Sequence, residues 1–166
     1  IVTDPDEQLN PPGIHAMFAP DVVQGPDGRF YLYYCLDCLP EIAVAVCDTP
    51  AGAYEFLGFV RHADGSILGQ REGDLFQFIE GFLQGSTVMT LENDMLTLKS
   101  EPKALMPDVR NSAGTGYEGH EFFEASSIRK INGKYYFVYS SVQSHELCYA
   151  ISDKPDEGYT FGGTLV

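Results

Sequence analysis

The apolar residues of this chain fall in short, strand-length runs broken by glycine and proline turns, and helix signals are weak throughout. The run Phe30-Tyr-Leu-Tyr-Tyr34 is preceded by Asp27-Gly28 and, before that, by the apolar segment Ala19-Pro-Asp-Val-Val. The run Tyr135-Tyr-Phe-Val-Tyr139 is preceded in the same way by Asn132-Gly133 and by Ala125-Ser-Ser-Ile-Arg-Lys-Ile131. Each stretch predicts an apolar strand, a tight Gly turn and an aromatic strand, the pattern of a β-hairpin.

The likeness of the two stretches continues beyond the hairpin. Ile42-Ala-Val-Ala-Val-Cys-Asp48-Thr-Pro50 parallels Leu147-Cys-Tyr-Ala-Ile-Ser-Asp153-Lys-Pro155, and Tyr54-Glu-Phe56 parallels Tyr159-Thr-Phe161. Asp48 and Asp153, Pro50 and Pro155, Tyr54 and Tyr159, and Gly58 and Gly163 are all 105 residues apart. A chance likeness of two β segments would drift in register. The chain therefore holds two four-stranded units, residues 18–58 and 124–163, each of the size of a β-propeller blade.

An offset of 105 is about two blade lengths, so a further blade belongs between them. Its remnant is residues 84–100: Ser86–Leu91 reads as a third strand, Glu92–Asp94 as a turn and Met95–Lys99 as a fourth strand. The preceding text, Leu75 to Gln84, is too short for two strands and a turn. An A–B hairpin of roughly 20–25 residues is thus expected to be missing after Phe78; the alternative is a long loop with an unrelated hairpin. The stretch from Glu118 to Glu124 reads as a loop entering a strand.

Composition changes this picture in several ways. The 166 residues suit one small domain by mass, but a whole propeller needs about twice that length, so the chain is expected to be part of a larger domain. Ten Lys and Arg against 24 Asp and Glu leave a net charge of −14, which argues against nucleic acid and anionic membrane as partners. No apolar run is long enough for a helical membrane span. The chain opens without Met on the acidic, polar residues Ile1–Asn10, which predicts that it begins inside a longer protein and that this opening is no signal peptide. Cys35, Cys38, Cys47 and Cys148 are expected as reduced thiols packed as small hydrophobes, which favours a cytoplasmic setting. Cys35-Leu-Asp-Cys38 has the spacing of half a zinc site, but no second pair follows, and His15, His120 and His145 are not spaced as ligands. No metal site is expected.

In a propeller the first strand of each blade lines the central channel. By the repeat, Phe18 and Glu124 hold equivalent positions at those strands' entrances. An aromatic ring offers a platform for a sugar's C–H face, and a carboxylic acid can protonate a glycosidic oxygen. Ala125 and Ser126 leave room beside Glu124, and Phe122 and Phe123 are placed to desolvate it.

Met17-Phe-Ala-Pro-Asp-Val-Val with Asp27-Gly-Arg-Phe-Tyr-Leu-Tyr-Tyr34, and Phe123-Glu-Ala-Ser-Ser-Ile-Arg-Lys with Asn132-Gly-Lys-Tyr-Tyr-Phe-Val-Tyr-Ser140, resemble two motifs of glycoside hydrolase family 43, in that family's order. Phe18 stands where the family commonly has Trp. The resemblance implies an all-β, five-bladed propeller of which roughly blades 2–4 are represented, the middle one incomplete. It implies an inverting hydrolase of arabinofuranosyl or xylosyl linkages in plant-type glycans, with three carboxylates, of which only the general acid carries over, onto Glu124. The base opens the family's first blade and the pKa-tuning Asp its third blade, in the hairpin missing after Phe78, so these 166 residues alone are expected to be inactive. Phe18, Asp21, His15 and His120 are the candidate substrate contacts. No cofactor is called for, though a structural Ca²⁺ in the full propeller stays open, and nothing sets an oligomeric state. The competing readings are a carbohydrate-binding or scaffold module without the full carboxylate set, and a related five-bladed enzyme acting on fructosyl or galactosyl units.

Overall fold

Strands form where the apolar runs predict them. A computed structural model describes residues 2–4, 15–37, 39–71, 86–143 and 146–166, and these form strands, turns and loops without a helix. The missing hairpin after Phe78 concerns residues outside this set. The chain divides into two units, Ile1–Phe78 with Thr90–Glu101, and Ile79–Met89 with Pro102–Val166.

The first unit is built on β1 (Val2–Thr3), β2 (Met17–Gln24), β3 (Phe30–Leu36), β4 (Leu39–Cys47) and β5 (Tyr54–Phe59). They form one sheet in the order β1-β5-β4-β3-β2, antiparallel except that β1 runs parallel to β5. Tyr34, Ala43, Ala45, Tyr54 and Phe56 are buried in its core. The second unit holds the short strands β6 (Thr87–Val88) and β7 (Lys103–Ala104), which pair with each other.

The second unit carries β8 (Phe122–Ile131), β9 (Lys134–Ser141), β10 (Leu147–Ser152) and β11 (Thr160–Thr164), in the order β11-β10-β9-β8. Its core holds Met106, Tyr117, Phe137, Tyr139, Cys148 and Tyr159. The β8–β9 turn is the two-residue Asn132-Gly133, both in the left-handed region (φ 50° and 83°), as a hairpin matching the strands' twist requires.

The 105-residue repeat extends to individual contacts. Tyr54 Oη donates to the Pro50 carbonyl at 3.1 Å, and Tyr159 Oη to the Pro155 carbonyl at 3.0 Å. Arg29 meets Asp48 at 3.0 Å, and Lys134 meets Asp153 at 2.5 Å. Gly58 and Gly163 sit at the bulge of the last strand in each sheet, where β5 and β11 change register against β4 and β10. Side chains that bind their own turn in the same way, twice, show that one supersecondary unit occurs in both places.

Between residues 86 and 100 the strands are shorter than the text predicts. Leu91 and Leu98 bridge antiparallel across the expected turn. Asp94 pins that turn by accepting hydrogen bonds from the Leu96 and Thr97 amides, at 3.0 and 2.8 Å, and from Arg61 at 3.0 Å. Thr87–Val88 pairs instead with Lys103–Ala104, and Thr90–Glu101 belongs to the first unit.

Candidate active site

β2 and β8 are each the terminal strand of their sheet, and both carry an extra residue at the same place. Phe18 pairs with Cys35 and Asp21 with Tyr33, so three steps on β2 oppose two on β3. Glu124 pairs with Ser140 and Ser127 with Val138, the same three against two. The bulged backbone turns through Ala19 (φ 47°) and Ala125 (φ 55°). A left-handed alanine costs about 1–2 kcal/mol, and backbone strain of this kind collects at functional sites. The residue just before each strained alanine is the predicted one: Phe18 in the first unit, Glu124 in the second. Phe18 is 55% exposed, an unusual position for a large ring, and Glu124 is also exposed.

The other predicted residues are held in place by neighbours within their own unit. Asp21 Oδ1 accepts the Val22 amide at 3.0 Å. His15 Nδ1 lies 3.4 Å from Asp37 Oδ1. The ring of Phe122 packs into the second core, 5.9 Å from both Phe137 and Tyr139. Phe122 thus anchors β8, and the register shifts on both sides of Glu124, which is exposed.

His120 joins a cluster that spacing along the chain does not reveal. Its Nδ1 lies 2.8 Å from Glu146 Oε2, its ring stacks on Phe161 with centroids 4.8 Å apart, and its carbonyl accepts Tyr139 Oη at 2.7 Å. Glu146 also accepts from Ser141 Oγ at 2.8 Å, Thr164 Oγ1 at 2.7 Å and Cys148 Sγ at 3.2 Å. Ser141 and Cys148 are fully buried. The alternation of β9 and β10 was the available signal, since Glu146 and Cys148 stand two apart at the start of β10.

The carboxylate of Glu121, which is buried, accepts Ser112 Oγ at 2.6 Å. Burial pushes its carboxyl up, but hydrogen bonds from Ser112 and from backbone amides outweigh burial and hold it low. Together, Glu121 and His120 fasten the loop that delivers β8.

Hydrogen bonds from His120, Thr164 and Ser141 hold the Glu146 carboxyl down at about 2, against an ordinary value of 4.5. A carboxylate favoured in the folded state stabilises it fully above pH 4.5, and that contribution is lost as pH falls from 4.5 to 2. Acid unfolding of the chain followed by circular dichroism is therefore expected to soften in this window for the wild type. Glu146→Gln should be less stable at neutral pH and show a flatter profile between pH 4.5 and 2. Superimposable profiles would count against Glu146 as the acid-sensitive group.

Comparison with known proteins adds a third line of observation. The sequence model of "Glycosyl hydrolases family 43" matches residues 2–156. A xylosidase/arabinosidase of Thermoclostridium stercorarium is 50% identical, the match taking in 97% of this chain and 38% of that protein. A beta-xylosidase of Xylanibacter ruminicola is 30% identical over 84% of this chain and 54% of its own length. Among solved structures, a β-xylosidase/α-arabinofuranosidase from a compost metagenome, crystallised with xylotriose in a calcium-free form, matches with a TM-score of 0.62 at 26% identity, over 90% of this chain and 56% of that one. The chain thus spans between 38% and 58% of the length of the curated relatives it matches. The Thermoclostridium match runs over 181 positions, whereas 97% of 166 residues is about 161, so about twenty positions of that relative have no counterpart here.

Proposed function

The chain belongs to glycosyl hydrolases family 43, a family of five-bladed β-propellers, and from that premise we propose that it supplies the general-acid side of a glycosidase for xylosyl or arabinofuranosyl linkages. The observation that carries this reading is the matched pair of bulged strands, which present Phe18 and Glu124 at equivalent exposed positions beside strained alanines.

Chemically, Glu124 in its acid form protonates the glycosidic oxygen as the C–O bond breaks. A second carboxylate draws a proton from water on the opposite face of the sugar, and attack there inverts the anomeric centre. Phe18, exposed on its own unit, offers a ring face to a sugar. The base and the pKa-tuning Asp of the family pattern are not matched by any position of these 166 residues. The roughly twenty relative positions without a counterpart match the size of one missing hairpin, and one carboxylate of three supports assigning catalysis to the protein that carries this chain rather than to these residues alone. The family's enzymes named as xylosidases and arabinosidases speak against a purely binding module.

The test is hydrolysis of nitrophenyl β-xyloside and nitrophenyl α-arabinofuranoside by that protein, with the product anomer followed by proton NMR. The expected result is cleavage of at least one of them, with the inverted anomer formed first. Retention at the anomeric carbon, or activity confined to fructosyl or galactosyl substrates, would overturn the reading.

A further inference from the structure

We propose that His120 Nδ1, a carboxylate oxygen of Glu146 and Cys148 Sγ form a binding site for one borderline-soft divalent cation of the zinc class. The ligand atoms of the three residues all lie within 4.8 Å of one another. They offer the mixture of imidazole nitrogen, carboxylate oxygen and thiolate sulfur that zinc and its neighbours prefer and that Ca²⁺ and Mg²⁺ do not.

Two of the three spacings are close to those of a filled tetrahedral site. Metal–ligand bonds of about 2.0–2.3 Å put neighbouring ligand atoms about 3.3–3.7 Å apart. Here Nδ1 to Oε2 is 2.8 Å and Sγ to Oε2 is 3.2 Å. At these two contacts ion entry needs the atoms to move apart by about half an ångström or less. Both short contacts are now bridged by protons. On binding, the thiol proton leaves to solvent and the imidazole proton moves from Nδ1 to Nε2, so one proton is released per ion. Thr164 Oγ1, 2.7 Å from Glu146 Oε1 and 3.9 Å from Cys148 Sγ, or a water can complete the set. The side chain of His120, about one-third exposed, gives the ion a way in.

The first unit serves as an internal control. The 105-residue repeat puts Glu41 where Glu146 stands and Ala43 where Cys148 stands. Ala43 is buried in a well-packed sheet, and Glu41 is met by Gln70 Nε2 at 2.8 Å. The blade therefore folds with a methyl group in place of the thiol, and packing alone does not call for Cys148.

The experiment is titration of the 166-residue chain with Zn²⁺ by calorimetry and with Co²⁺ by absorbance. One ion per chain is expected, with a thiolate-to-cobalt charge-transfer band. Cys148→Ala, a substitution the first unit already carries at Ala43, and His120→Asn should each bind at least about tenfold more weakly. Cys47→Ser should bind as the wild type does. X-ray absorption of the zinc-loaded wild type should show one sulfur among nitrogen and oxygen neighbours. No uptake by the wild type, equal affinity in all variants, or a zinc shell without sulfur would each overturn the proposal and leave the cluster a hydrogen-bond hub. No glycan enters these measurements, so their failure is separate from failure of the glycosidase reading.

Discussion

Replacing Glu124 by Gln in the protein that carries this chain is expected to lower turnover of unactivated xylosyl or arabinofuranosyl oligosaccharides by about 10²–10⁴-fold, the usual worth of a positioned general acid. Glu124 and Gln are nearly isosteric. The side chain is exposed on a doubly bulged strand, so the substitution removes the transferable proton and leaves the sheet intact. The size of the loss should follow the leaving group. A sugar alkoxide is a poor leaving group and needs protonation as the bond breaks, whereas nitrophenolate departs with little help. The loss on nitrophenyl glycosides is therefore expected to be at least about tenfold smaller than on oligosaccharides. Michaelis–Menten kinetics on both substrate types reads this out. An equal loss on both would indicate disturbed binding rather than lost proton transfer, and no loss on either would remove Glu124 from the mechanism.

The largest stability effect is expected at Tyr139. It is fully buried, packs against Phe122 and Phe137 and donates its hydroxyl to the His120 carbonyl at 2.7 Å. Truncation to Ala removes a ring from the centre of the second core, and about 3–5 kcal/mol should be lost in urea unfolding. Tyr139→Phe isolates the hydroxyl: it strands a loop carbonyl and should cost about 1–2 kcal/mol. Tyr34 is its counterpart 105 residues earlier, equally enclosed, yet its hydroxyl has no hydrogen-bond partner among the described residues. Removing a buried, unpartnered hydroxyl relieves a desolvation cost, so Tyr34→Phe should be neutral or stabilising by about 1 kcal/mol. One substitution at two equivalent positions is thus expected to act with opposite sign. Destabilisation of similar size at both would mean that Tyr34 has a partner after all.

Much of the candidate site was legible along the chain because strands write their pairing into a linear period. Asn132-Gly133 announces its hairpin, since only such residues accept the left-handed turn. Phe18 and Glu124 emerged from counting to the same point in two copies of one unit, and the structure places both before a strained alanine on a bulge. The face that Phe122 presents is not legible in the same way, because a strand pattern gives the face of a residue only while the register holds. The bulge between Phe122 and Glu124 breaks that register and sends the ring to the core.

Sequence by itself determined the repeated four-stranded unit, its turns and the candidate acid, because those depend on local backbone preference and on a period that survives in one dimension. Tertiary structure alone decided the cluster of His120, Glu146 and Cys148. His120 lies in the loop before β8, and the other two stand at the entrance of β10. Their meeting depends on β9 lying between β8 and β10 and on Tyr139 drawing the His120 carbonyl down. Hydrogen-bond and metal geometry is set by distances across a sheet, and no spacing along the chain records them.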